Sequence, residues 1–164
     1  MTTAIQDLYP DEFSHCYGCG RLNPHGLQIK SFWNGKEAVA TFTPEPYQLA
    51  LPGYVYGGLI ASLLDCHGIA TAAAAAERAA GRALVQGAVP RYVTAALHVN
   101  FLAPTPAGTP LEVRGQPKEV AGRKVIVTVS LGTDGTVTAR GEVVAVLMPE
   151  SMMVGHGRAG MTGA

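Results

Sequence analysis

Pro52-Gly53-Tyr54-Val55-Tyr56-Gly57-Gly58-Leu59-Ile60-Ala61-Ser62-Leu63-Leu64-Asp65-Cys66-His67-Gly68, running on through the alanines of 72–76 to Glu77, reads as a glycine turn feeding the longest helix in the chain. Leu59, Ile60, Leu63, Leu64, His67 and Gly68 recur at the three- and four-residue spacing of one helix face. Alanine, the best helix former, dominates the second half. Gly81, with Glu77 and Arg78 before it, marks the end. Inside this apolar run stands one carboxylate, Asp65, eight residues after Gly57. Burying a lone Asp among leucines is costly unless something pairs with it or uses it. Otherwise a helical Asp turns to solvent.

Length and charge bound what surrounds that helix. A chain of 164 residues is one domain with room for a full core. Twelve basic and twelve acidic residues balance, with no basic block, which argues against nucleic acid or an anionic membrane as the main partner. The first residues, Met1-Thr2-Thr3-Ala4-Ile5-Gln6-Asp7, lack the charged-then-apolar layout of a signal peptide. Ser62, Asp65 and His67 interrupt the helix, making it a poor membrane span. Three cysteines cannot all pair within one chain, so a reduced, cytoplasmic setting is expected.

Residues 1–26 form an irregular leader rich in turn residues. Its Cys16-Tyr17-Gly18-Cys19 is half a zinc site, and the ligands available to complete it are His15, His25 and the distant Cys66 and His67. Without a second close pair the expectation is no metal. Gly20 and Pro24 forbid the helix on which a redox pair would sit. Strands follow at 28–33 and 37–42 around the hairpin signal Asn34-Gly35. Beyond the helix, 92–102 alternates, with Thr94, Ala96, His98 and Asn100 on one face. Residues 111–120, 124–131 and 136–148 complete the strands, joined at Ala121-Gly122-Arg123 and Asp134-Gly135. The order of elements predicts an α+β fold, one helix covered by an antiparallel sheet of five or six strands over residues 27–148, with a flexible tail at 149–164.

Taken together these stretches resemble the hotdog-fold acyl-CoA thioesterases, in the branch of the phenylacetic-acid-degradation thioesterases. The resemblance is carried by Gly57-Gly58 with Leu63-Leu64-Asp65 and Gly68, by His15-Cys16-x-Gly18-Cys19-Gly20 with Asn23-Pro24-x-Gly26-Leu27, and by Thr94 with Val99-Asn100-Phe101-Leu102-x-Pro104. The family's His-Gly-Gly is Tyr56-Gly57-Gly58 here, and its frequent Asn falls at Ala50, with Gln48 nearby to supply an amide. The resemblance implies hydrolysis of an acyl-CoA thioester without a cofactor, a homodimer with shared sites that pairs in some members into a homotetramer, and a Ser/Thr role for Thr94 in orienting the water or the Asp65 carboxylate.

The chemistry agrees with these residue types. The first amides of a helix are unpaired donors at its positive end, and glycines leave them open to a carbonyl oxygen at Gly57 or Gly58. Asp65 supplies a general base or a nucleophile. At 1.5 Å per residue, Asp65 lies about 12 Å along the helix from Gly57, too far for one carbonyl. Two antiparallel helices from two chains close that gap, which places the site between protomers. Tyr56 and Gln48 are candidates for substrate binding beside the reaction centre. Arg91, Lys118, Arg123 and Lys124 are candidates for the coenzyme phosphates. An alternative is a non-hydrolytic acyl-CoA or acyl-carrier binding protein, with Tyr56 marking lost activity. A hydratase on this scaffold lacks its usual Asp/His pair here. Asp65-Cys66-His67 is no triad, because helix neighbours diverge. His98 reads as a satisfied structural histidine, and the dinucleotide-like Gly155-His156-Gly157-Arg158-Ala159-Gly160 as chance.

Overall fold

The computed structural model describes residues 3–153. Helix α1 spans Gly57–Ala79, and its last turn closes as the sequence predicts. Gly81 takes φ +70°, its N–H reaches Arg78 O at 3.0 Å and the Arg82 N–H reaches Glu77 O at 2.9 Å. The buried Glu77 carboxylate is met there by the Arg82 guanidinium, with contacts of 2.9 and 2.6 Å.

Six strands wrap one side of α1: β1 (Ser31–Trp33), β2 (Ala38–Phe42), β5 (Tyr92–Phe101), β6 (Leu111–Ala121), β7 (Lys124–Thr133) and β8 (Thr136–Leu147). They pair antiparallel in the order β1-β2-β6-β7-β8-β5, one long helix on a six-stranded sheet, the hotdog architecture. Asp134 and Gly135, at φ +50° and +77°, make the tight turn between β7 and β8. The helix lies close on the sheet because two glycines permit it. A Cβ at Gly68 would sit 2.5 Å from Val143 Cγ2, and one at Gly115 2.4 Å from Thr71 Oγ1.

Some details differ from the sequence reading. The first strand starts at Ser31, not at residue 28, because Gln28 has φ +52°; residues 27–29 instead pair with the leader, Leu27 N–H to Tyr17 O and Ile29 N–H to Gly18 O. A two-stranded ribbon, β3 (Leu49–Leu51) with β4 (Tyr54–Val55), precedes the helix. Short 3-10 turns at Ile5–Leu8 and Asp11–Phe13 organise the leader, and helix α2 occupies Glu150–Met153. The Gly155–Gly160 stretch lies outside the described residues.

A larger correction concerns α1 itself. It is not a one-faced amphipathic helix: from Leu63 to Ala75 every residue but Asp65 is buried. The sheet covers one side, and leader residues Ile5, Tyr9 and Cys19 join the same core. By length and composition the helix does qualify as a membrane span, yet here it is the enclosed centre of the fold. Its one buried imidazole, His67, is fully satisfied. Gln6 Nε2 donates to Ser31 Oγ at 2.8 Å, the Ser31 hydroxyl lies 2.8 Å from His67 Nδ1, and His67 Nε2 lies 3.1 Å from Ala38 O. Burial brings its pKa down to about 4, so it stays neutral.

Candidate active site

Thr94 reaches the helix because β5 is bulged. Opposed residues share a sheet face. Thr94 is opposite Ala145 and Ala96 opposite Val144, so Ala95 is an extra residue between them. The insertion flips the face. Thr94 joins Leu97 on the helix side, while Ala96, His98 (opposite Glu142) and Asn100 (opposite Arg140) turn outward. Strict alternation had put Thr94 with His98. His98 is accordingly exposed in the chain, not a core histidine.

The Thr94 hydroxyl, exposed in the chain, donates to Asp65 Oδ1 at 2.6 Å. Asp65 is half-buried, neither lost in solvent nor sealed in the core. Burial is the main influence on its carboxyl and raises its pKa; the Thr94 hydrogen bond opposes this, Cys16 adds to it and Arg91 lowers it. A carboxylate held this way is a stronger base than one in water, and its free oxygen is available to a substrate.

Gly57 and Gly58 open α1, with Tyr56 at the N-cap in extended conformation. Tyr56 O takes the Leu59 and Ile60 amides, at 3.0 and 3.2 Å, which leaves those of Gly57 and Gly58 without intrahelical acceptors. The two glycines face different clefts. Gly58 shares a cavity of about 500 Å³ with Tyr17, Tyr47, Gln48, Tyr56 and Ser62. Gly57 lines a second, of about 390 Å³, with Phe101 and Leu102. The Tyr56 ring lies across Gly58, where a Cβ would meet it at 2.4 Å. Gln48 Oε1 accepts from the Glu45 N–H at 2.8 Å, so its carbonyl end is held by its own loop. Tyr17 and Tyr47, 60% and 81% exposed, belong to this cavity but carry no spacing signal in the sequence.

The proposed phosphate contacts do not form one cluster. Lys118 pairs with Glu142 at 2.7 Å, Lys124 with Glu119 at 3.1 Å, and Arg123 donates to Leu147 O at 3.1 Å. Arg91 is elsewhere, over the Tyr9 ring at 4.9 Å and beside Cys19. It faces the leader rather than the hairpin. Behind Asp65 the three thiols meet, their Sγ atoms all within 4.8 Å of one another. Spacing alone did not reveal this, since Cys66 is fifty residues from Cys16. The neighbouring Cys19 and Cys66 thiols lower the Cys16 pKa, while that of Cys19 rises to about 11 and that of Cys66 also rises.

Comparison with known proteins gives a consistent picture. Residues 52–139 match the family model of the thioesterase superfamily. The acyl-coenzyme A thioesterase THEM4 of Xenopus laevis is 30% identical over 102 residues, 61% of this chain and 40% of that protein, so the chain spans about two fifths of this curated relative's length. A thioesterase superfamily protein from Shewanella loihica, solved by crystallography, is 48% identical, with a TM-score of 0.65 over 85% of this chain and 98% of that one. A Streptococcus mutans protein solved with bound acetyl-CoA shares the fold at 16% identity, with a TM-score of 0.60 over 73% of this chain and 88% of that one.

Proposed function

The chain belongs to the thioesterase superfamily, and from that premise we propose that it hydrolyses the thioester of an acyl-CoA to the free acid and coenzyme A. The observation that carries this reading is the half-buried Asp65 carboxylate, aimed by Thr94 from the sheet. As general base, Asp65 takes a proton from water while the water oxygen attacks the carbonyl carbon. As nucleophile, it attacks directly, expels the coenzyme thiolate and forms an anhydride that water then opens. In both routes the carbonyl oxygen gains negative charge, and open amides at a helix start stabilise such an oxyanion. The named relatives support the substrate class: one is an acyl-coenzyme A thioesterase, and one was solved with acetyl-CoA. Lys118, Arg123 and Lys124 are the proposed phosphate contacts, each exchanging its present partner for the coenzyme. Three free thiols fit a reducing, cytoplasmic compartment.

The same reading requires a homodimer. Asp65 and Gly57 lie about 12 Å apart along one helix, so the oxyanion amide comes from a second chain. Support comes from β5, the last strand of the sheet order: its end carries Phe101 and Leu102, 56% and 55% exposed, beside Gly57. An apolar edge strand of this kind invites pairing with its own copy. Further pairing into a tetramer is compatible with this arrangement.

One observation favours a binding protein instead: the Tyr56 ring lies over Gly58 and screens it. Turnover decides. Native protein and Asp65→Asn are compared on a panel of acyl-CoAs with a thiol reagent. The expected result is hydrolysis that falls about 10²–10⁴-fold in the variant. A native protein that binds acyl-CoA without turnover, or a variant within a few-fold of native, supports the binding reading.

A further inference from the structure

We propose that Cys16, Cys19 and Cys66 form a three-thiolate zinc site that fastens the leader to α1 one residue beyond Asp65. The geometry fits the ion. In tetrahedral zinc with Zn–S of about 2.3 Å, neighbouring sulfurs stand about 3.8 Å apart. Cys16 Sγ and Cys66 Sγ are separated by 3.8 Å, and all three sulfurs lie within 4.8 Å. A displacement on the order of 1 Å completes the third edge.

The leader is shaped as a metal-binding knuckle. The Gly20 N–H closes the turn on Cys16 O at 2.8 Å. Both glycines of Cys16-Tyr17-Gly18-Cys19-Gly20 are needed at their places. A Cβ at Gly18 would lie 2.3 Å from Cys66 Sγ, and one at Gly20 2.5 Å from Cys16 N. Glycine at position 18 therefore admits the helix thiol to the knuckle.

A second observation concerns charge. Arg91 is packed against Tyr9 and Cys19, its Nη1 is buried without a hydrogen-bond partner, and it forms no ion pair with a carboxylate among the described residues. Arg91 is partly buried with one nitrogen sealed from solvent, and an anion beside such a guanidinium offsets its lost hydration. Zinc with three thiolates carries one net negative charge, which this guanidinium balances. Soft thiolates select zinc over magnesium or calcium, and binding displaces the thiol protons to solvent. Among the described residues no fourth His, Cys, Asp or Glu joins the trio. The fourth position therefore belongs to water on the side of Cys16, the one thiol that is only partly buried. Tyr17 of the same leader, with Leu27 paired to it, walls the cavity next to Gly58, so the site would also set that wall.

The test needs no turnover, so its outcome is separable from that of the thioesterase reading. Full-length protein, purified under a phosphine reductant, is assayed for metal; the expected content is about one zinc per chain. Stripping with a chelator lowers the melting temperature by about 5–10 °C, and added zinc restores it. Cobalt in place of zinc shows a thiolate-to-cobalt charge-transfer band and the intense visible bands of a tetrahedral site. Cys16→Ser and Cys66→Ala, checked for folding by circular dichroism, lose the stoichiometric metal. A folded native protein with three freely reactive thiols in saturating zinc overturns the proposal, as does a Cys16→Ser variant that keeps the charge-transfer band; the trio is then a thiol network balanced by Arg91 alone.

Discussion

The two covers of α1 are built differently. On the sheet side the helix packs closely on regular strands, with Gly68 against Val143 and Gly115 against Thr71 and His67. On the leader side the helix meets sulfur, a guanidinium and loops: Cys16, Cys19, Arg91 and the turn at Gly18. Asp65 sits where the two covers meet, reached by Thr94 from the sheet and influenced by Cys16 and Arg91 from the leader side. The sheet gives the helix a rigid seat, and the loops leave the carboxylate partly open. Rigid support with an irregular cover is how a fold combines a packed core with an accessible reacting group.

Three experiments test this division, in order of effect. The largest probes whether a second helix completes the site. Asp65→Ala and Gly57→Pro chains should each be inactive by at least about 10²-fold. Proline at the first helical position keeps the helix while removing the N–H. After subunit exchange at equal ratio, activity should return to roughly a quarter of native, because half the dimers are mixed and each has one intact site. No recovery despite confirmed exchange breaks the shared-site reading. Next, Thr94→Val keeps the shape but removes the hydrogen bond to Asp65. Losing a bond to a charged group costs about 1.5–3 kcal/mol, so kcat should fall roughly 10- to 100-fold. Thr94→Ser should restore most of it, whereas a purely structural role would show as lost stability with kcat unchanged. The smallest effect on catalysis is expected on the sheet side. Gly68→Ala puts a methyl against Val143 and should cost about 1–3 kcal/mol in urea unfolding, while the folded fraction turns over as native does. A large loss of kcat there would mean the sheet side is not merely a seat.

Much of the architecture is legible along the chain. The helix from Gly57, its stop at Gly81, and the strands that pair as β2, β6, β7 and β8 follow from periodicity, β-branched residues and Asn-Gly or Asp-Gly turns. These signals are local, carried by neighbours within a few residues, so reading them needs no knowledge of the rest of the fold. Asp65 stands out for the same reason, as a lone charge in an apolar run.

What tertiary structure decided is where side chains from distant segments meet. One extra residue, Ala95, reversed the face of Thr94 and brought it to Asp65, while His98 turned outward. Alternation cannot reveal an insertion that only the partner strand defines. Arg91 left the set of surface cations because Tyr9, more than eighty residues earlier, lies beneath it. Cys66 joined Cys16 and Cys19 because Gly18 has no side chain to keep the helix away. Local chain stiffness writes the elements into the sequence, whereas contacts across long loops depend on how the packed surfaces settle against one another.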